Sequence, residues 1–349
     1  MSPPPDGRKD TPPADGRKDS HWTDIHQDAI VLGLLRECDD DFVAGQTLCD
    51  KLDVPRAELL KRIDSLRSRG FVIQSSGGRG YKLVEIPDAI GEAQVAPLLS
   101  TNDLGRRIHS FEEIGSTNDE AHRLADQLDA QHGEVVIAEV QTHGRGRRGR
   151  TWTSPRGLGL TLSVVLRPTL TPQQAPELTI VAAVALCEAV RELGAQDAAI
   201  KWPNDVECGG RKIAGLLTEL RADQDRVRYV VLGLGLNVAH ESRDFPDDLR
   251  DTATSLRMER GGSRIARPVV CAVVLEHLEE WLVLHETEGF APVRERWRQL
   301  SSTIGRRVKA DAVEGEAFDL AGDGALLVKT ADGSIVRVVA GDVEHCRVL

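Results

Sequence analysis

Four arginines fall within the seven residues 144–150, in the run Gln141-Thr142-His143-Gly144-Arg145-Gly146-Arg147-Arg148-Gly149-Arg150-Thr151-Trp152. Packed together, those guanidinium groups would repel one another, and the interleaved glycines remove side chains that would order the segment. Such a loop wants an anion. Backbone amides can approach a polyphosphate or carboxylate past the glycines while the arginines neutralise it through bidentate hydrogen bonds. The loop is therefore expected to be mobile when empty and ordered when occupied. Alone, it reads equally well as a solvated basic loop or a nonspecific nucleic-acid contact. It lacks the Lys-Ser/Thr ending of a P-loop.

Three further runs carry chemistry of the same kind. Lys201-Trp202-Pro203-Asn204-Asp205 closes a short apolar strand; Lys201 suits phosphate oxygens, and Asn204 or Asp205 suits magnesium, which prefers oxygen ligands. The same Pro-Asn-Asp triplet is also ordinary turn chemistry. Gly210-Arg211-Lys212-Ile213-Ala214-Gly215 feeds an apolar strand; Lys212 is either a solvated edge residue or, a short loop after Lys201 and Asp205, part of a shared site. Glu113-Ile114-Gly115-Ser116-Thr117-Asn118-Asp119-Glu120 offers a helix start. Thr117 and Glu120 have capping-box spacing, while a helix N-terminus also presents amides and hydroxyls to a polar ligand. The glycines in Gly233-Leu234-Gly235-Leu236-Asn237 allow close approach of a ligand or another backbone.

The elements that must position these residues follow from pattern and composition. A chain of 349 residues exceeds one ordinary core and predicts two or three domains. No apolar stretch reaches the roughly 20 residues of a membrane span, and the N-terminus lacks the form of a signal sequence, so a cytoplasmic protein without membrane contact is expected. The six cysteines, Cys38, Cys49, Cys187, Cys208, Cys271 and Cys346, lack CxxC spacing, which predicts a reducing compartment and no structural zinc. The net charge of −11 excludes a protein that is basic throughout, though not a local basic face.

Residues 1–26 hold a repeated Asp-Gly-Arg-Lys-Asp between prolines and are expected as a disordered tail. Residues 27–86 give three helices and a hairpin: Ile30, Val31, Leu34 and Leu35 in the first, Gln46 to Leu52 in the second, and Leu59, Ile63 and Leu66 in a third opened by Pro55. That is the order of a winged helix-turn-helix. Residues 28–53 carry seven acids against Arg36 and Lys51, whereas residues 55–82 carry seven bases against Glu58 and Asp64. The basic half is the third helix and wing, with Arg56, Lys61, Arg62, Arg67 and Arg79 as DNA contacts. A helical domain that packs on the enzyme or binds another protein is the alternative. Residues 87–104 read as a linker. Residues 105–301 alternate strand-like runs (134–140, 158–166, 198–202, 212–220 and 228–237) with helices near 117–129, 175–193 and 267–287, an α+β sheet with helices on one face. Residues 302–349 form short glycine-separated strands, the pattern of a small β-barrel.

With all four runs present in this order, the chain resembles the bifunctional biotin protein ligases that also act as biotin operon repressors, over about residues 28–349. The pairing of Gly-Arg-Gly-Arg-Arg-Gly with Lys-Trp-Pro-Asn-Asp and Gly-Arg-Lys-Ile-Ala-Gly is specific to them. The resemblance implies a class II synthetase-like catalytic domain at 105–301 and an SH3-like domain at 302–349. It implies that Ser116, Thr117, Asn118, Gln141, Arg145, Gly146, Arg147 and Lys212 hold biotin and its acyl phosphate. Trp152, Asn204 and Asn237 would serve the nucleotide, with Arg147, Lys201, Asp205 and Lys212 catalytic and Asp205 toward Mg²⁺. Thr153 departs from relatives that place an aromatic or bulkier residue there. The implied reaction consumes ATP, forms biotinyl-5'-AMP and biotinylates one lysine of a biotin carboxyl carrier protein. The implied regulation is a homodimer, formed when biotinyl-AMP is bound, that binds operator DNA. The alternatives are a ligase whose N-terminal domain does not bind DNA, a ligand sensor without chemistry, and a lipoate ligase.

Overall fold

The computed structural model describes the backbone of residues 16–345 apart from 39–40, 128–129, 311 and 340–342, and describes side chains from residue 27 to residue 339 within those limits. The first part of the expected tail, residues 1–15, and Cys346 lie outside the described residues. From Gly16, however, the backbone is already helical, because α1 runs Gly16–Glu37. Once Val31, Leu32 and Leu35 anchor its C-terminal half in the core, each residue added upstream gains a hydrogen bond without a new nucleus.

Helices α2 (Gly45–Leu52) and α3 (Arg56–Ser68) and the antiparallel hairpin β1 (Val72–Ser76) and β2 (Gly80–Glu85) complete the winged helix-turn-helix. Asp53 ends α2 in the left-handed region at φ 53°. The wing is tied to the turn before α2 by Val43, which exchanges backbone hydrogen bonds with Tyr81 at 2.8 and 2.9 Å. Gly80, at φ +111°, makes that approach possible, since a β-carbon there would strike the Val43 carbonyl.

Residues 87–104 are not a loose tether. They hold the short helix α4 (Glu92–Val95) and a 3₁₀ turn, with Val95, Ala96, Leu98 and Leu99 all buried. Their physical anchor is the later helix α8: amides of Asn102, Asp103 and Leu104 donate to Glu279 at 2.6, 2.6 and 2.9 Å, and Ser100 bonds Glu276.

The central domain follows as β3 (Ile108–Ile114), α5 (Thr117–Gln127), β4 (Val135–Gln141), β5 (Gly159–Leu166), α6 (Glu177–Glu192), β6 (Ala198–Lys201), β7 (Asp205–Cys208), β8 (Arg211–Ala222), β9 (Val227–Asn237), α7 (Leu256–Glu259), α8 (Arg267–Glu288) and α9 (Phe290–Leu300). Its seven-stranded sheet has the order β3-β4-β5-β9-β8-β7-β6, parallel between β3 and β4 and antiparallel elsewhere. Side chains alternate between faces with period two. Val135, Ile137, Leu162, Val164, Leu232 and Leu234 join the core shared with α6 and α8, while Val136, Val165, Tyr229 and Val231 pack under α5. Helices therefore cover both faces rather than one. On the α5 side the helix covers only part of the sheet, and the uncovered remainder carries the site.

The C-terminal domain is an antiparallel five-stranded sheet of order β13-β12-β11-β10-β14, from β10 (Arg307–Ala310), β11 (Val313–Leu320), β12 (Leu326–Lys329), β13 (Ile335–Val338) and β14 (Val343–His345). Trp202, fully buried, ties it to the central domain: its indole donates to the Gly324 carbonyl at 3.1 Å and its backbone N–H to Thr303 Oγ1 at 3.0 Å. The chain is thus α+β in the three parts expected. Among the described residues, no helix is long and apolar enough to cross a membrane.

Candidate active site

The start of α5 forms a polar cradle against β4 and β5. Thr117 donates from its backbone N–H and hydroxyl to Gln141 Oε1, at 2.8 and 3.1 Å. Ser163, wholly buried on β5, donates to Asn118 Oδ1 at 2.6 Å and lies 2.8 Å from Thr117 Oγ1. Asn118 Nδ2 donates to Glu219 at 2.8 Å. No capping box forms here: the Thr117 hydroxyl is spent on the cradle, and Glu120 pairs with Arg123 at 2.8 Å. The glycines of β9 make room for side chains. A methyl at Gly233 would overlap Asn118, and one at Gly235 would overlap the Trp152 indole.

Glu219 is half-buried on β8 and holds its charge. Its contact with His122 at 3.5 Å, then the hydrogen bond from Asn118 and the charge of Arg145, outweigh burial and bring its pKa down to about 2. A depressed carboxylate contributes stability that is complete above its ordinary value near 4.5 and is lost as pH falls toward 2. Thermal midpoints followed through that window should fall more steeply for the native chain than for Glu219→Gln; parallel curves would contradict the assignment.

The arginine loop is a narrow excursion closed at its base, where Arg145 bridges Thr151 and the Trp152 N–H donates to the Gly144 carbonyl at 2.9 Å. Its charges are dispersed rather than stacked. Arg145 reaches Asp119 at 2.6 Å and Glu219 at 3.1 Å, while Arg147 crosses to Asn204 Oδ1 at 3.2 Å. Arg148 takes φ 56°, turning the tip. Asn204 is itself fixed by donating to the Leu216 carbonyl at 2.6 Å.

Beneath the loop lie two adjoining chambers of about 260 and 310 Å³. The first is lined by Ser116, Thr117, Asn118, Gln141, Arg145, Gly146, Arg147, Trp152, Asn204, Asp205 and Lys212, so it gathers every expected ligand residue except Lys201 and Asn237. Those two line the second chamber with Glu207, His240 and Phe245. Trp152, Asp205 and Lys212, with Thr151 and Leu249, form the wall common to both. Lys212 Nζ stands 2.7 Å from Asp205 Oδ1 and 5.7 Å from the Trp152 ring centre. Asn237 commits one of its two amide donors to the Thr254 carbonyl at 3.0 Å.

Sequence reading missed Ser163, Glu219, His122 and His240. Ser163 and Glu219 are single polar residues brought to Asn118 by strand register, and His122 stands one turn beyond Asn118 on α5. His240 stacks on Phe245 at 4.9 Å and 9°, and burial lowers its pKa to about 4, which keeps the imidazole neutral near pH 7. The described cysteines are all free thiols; Cys49, Cys187, Cys208 and Cys271 are buried and Cys38 is exposed.

Residues 110–237 match the Biotin/lipoate A/B protein ligase family, 303–346 the Biotin protein ligase C terminal domain, and 30–82 an HTH domain. Against the Bifunctional ligase/repressor BirA of Bacillus subtilis (strain 168), the chain is 35% identical over 318 residues, spanning 90% of this chain and 97% of that one. The chain belongs to the bifunctional biotin ligase/repressor family. The BirA of Escherichia coli (strain K12) is 32% identical over 87% of this chain and 92% of its own. Among solved structures, the biotin protein ligase of Aquifex aeolicus in complex with biotin and ATP superposes with a TM-score of 0.60 at 28% identity, over 69% of this chain and 99% of that one.

Membership of this family makes the winged domain's basic residues a candidate DNA surface, and the structure divides them. Arg56 and Lys61 are exposed on α3. Arg79 caps the Phe42 ring at 4.4 Å and pairs with Asp41 at 3.0 Å near the wing. Arg67 is exposed yet braces the hairpin, donating to the Ile73 carbonyl at 2.7 Å and Ser75 at 2.6 Å. Arg62 does not face outward. It is buried beside Asp28 at 3.5 Å, with Glu58 also at 3.5 Å. Arg62→Ala leaves Asp28 its closer partner Arg69, 2.5 Å away, so it strands no charge and should lower stability by about 1 kcal/mol in urea unfolding. Lys61→Ala should leave stability unchanged and reduce the salt slope of operator binding by about one. The reverse pattern would restore Arg62 as a DNA contact.

Proposed function

We propose that the first chamber takes biotin, the second takes the nucleotide, and the shared wall of Lys212, Asp205 and Trp152 is where the two react. The observation that carries this reading is that wall: a cation, a carboxylate and an indole border both chambers at once. A biotin carboxylate oxygen attacks the α-phosphorus of ATP, and the bond to the β-phosphate bridging oxygen breaks to release pyrophosphate. Two anions must first approach. Lys212 and Arg147 offset their repulsion and stabilise charge building on the α-phosphoryl oxygens, while Lys201 meets the departing phosphates from the second chamber.

In the second half-reaction the ε-amine of a carrier lysine attacks the acyl carbon, the acyl C–O bond breaks, and AMP leaves with the electron pair. Asp205 orients that amine and receives its proton. No enzyme nucleophile is required. Arg145, Gly146 and Arg147 close over the mixed anhydride and keep water from it.

The donor set fits magnesium carried by phosphates: Asp205 is one carboxylate at the chamber wall, and Mg²⁺ binds through one or two carboxylates with substrate phosphates rather than a protein cage. Among the described residues there is no cluster of three His, Cys, Asp or Glu that would hold a metal alone. When bound, the ion would neutralise the triphosphate and the leaving pyrophosphate. The ligase reading is tested by ATP–pyrophosphate exchange that depends on biotin; exchange indifferent to biotin would sink it.

The winged domain supports a second role, as a repressor whose homodimer forms when biotinyl-AMP is bound and sets two α3 helices on an operator. Its carrier substrate is a biotin carboxyl carrier protein. Gel-shift titration should show operator affinity rising with biotin and ATP together. No gain under any condition would leave the ligase alone.

A further inference from the structure

We propose that Glu219 is a positioning residue coupling the arginine loop to the biotin cradle, one carboxylate fixing both the direction of the Asn118 amide and the anchorage of Arg145. The proposal rests on the ligase reading of the first chamber and deepens it. Glu219 lines neither chamber. Its Oε2 accepts from Asn118 Nδ2 at 2.8 Å and Arg145 Nη2 at 3.1 Å, and stands 3.5 Å from His122 Nε2.

An asparagine amide is nearly symmetric in shape, so its two ends are told apart only by their partners. The carboxylate accepts and cannot donate, which forces Nδ2 toward Glu219 and turns Oδ1 toward the Ser163 hydroxyl, 2.6 Å away. Ser163 in turn lies 2.8 Å from Thr117 Oγ1, which reaches Gln141 Oε1 at 3.1 Å. A single charge thereby orients the Asn118 amide and, through it, the one proton of the Ser163 hydroxyl.

The same oxygen holds the loop. Arg145 is fastened by Glu219 of β8 and Asp119 of α5, and Arg147, two residues later, is fastened to Asn204 between β6 and β7. The loop is strapped across the mouth at two points, and Glu219 belongs to one of them. Because His122 and its other partners keep Glu219 ionised far below neutral pH, this strap is present throughout the ordinary assay range.

Two substitutions separate the two duties. Glu219→Gln keeps an acceptor for Asn118 and removes the charge that Arg145 needs. Its expected effect is release of the activated intermediate about tenfold faster, the size of a lost charge-assisted hydrogen bond, with biotin KM moved by less than about twofold. Glu219→Ala removes both partners and should add a rise of about tenfold in biotin KM. ATP KM should change little in either, which a merely structural role would not predict. Release from Glu219→Gln at the native rate, or a native biotin KM in Glu219→Ala, overturns the coupling. Biotin-dependent pyrophosphate exchange by the native chain is measured in the same assay. If that exchange is missing, the ligase reading itself fails, a result distinct from either variant outcome.

Discussion

Lys212→Ala is expected to slow biotin-dependent pyrophosphate exchange by about 10³-fold, near the upper end for loss of one preorganised charge at a reacting centre. Lys212 borders both chambers, and its ammonium is held 2.7 Å from Asp205 rather than swinging in solvent. Held there, it requires no reorganisation when charge develops on the phosphoryl oxygens. The loss should therefore fall on kcat more than on biotin KM. Removing it also leaves Asp205 without its cation beside incoming phosphates, which adds repulsion to the lost attraction. Exchange at the native rate would remove Lys212 from the chemistry. A rise in KM alone would make it a binding residue.

Arg147→Gly should act later in the cycle. Arg147 closes the loop against Asn204 at 3.2 Å, an anchor separate from that of Arg145. Without that strap, the activated intermediate should escape about 100-fold faster and label nearby lysines indiscriminately, whereas adenylation slows less. Mass spectrometry of a bystander protein mixed with the variant, ATP and biotin would show scattered biotinylation. Unchanged dissociation of the intermediate would refute the closing role of the loop.

The distance between sequence and structure follows physical lines. The arginine loop, Lys201 to Asp205 and Gly210 to Gly215 were legible because each concentrates charge or glycine within a contiguous run. Ser163 and Glu219 were not, because each is one polar residue in a strand, and only the register of β5, β9 and β8 brings them to Asn118. Strand β3 was hidden by its own composition: His109, Ser110, Glu112 and Glu113 interrupt the apolar pattern of a strand at the sheet edge. Strand β7 was hidden by the turn chemistry that precedes it. Arg62 is the instructive miss. Its charge suggested a DNA contact, yet Leu59, Arg62, Ile63 and Leu66 share helical spacing, and the structure buries all four. Periodicity outranked residue type there. The linker misled for a related reason, since its polar residues concealed backbone amides that Glu276 and Glu279 of α8 were placed to receive.

The two chambers and their shared wall are tested most directly by giving the full chain ATP, magnesium, an apo carrier domain and either labelled biotin or labelled lipoate. The account predicts ATP-dependent transfer of biotin to a single carrier lysine, with release of AMP and pyrophosphate and no transfer of lipoate. Transfer of lipoate but not biotin would contradict it.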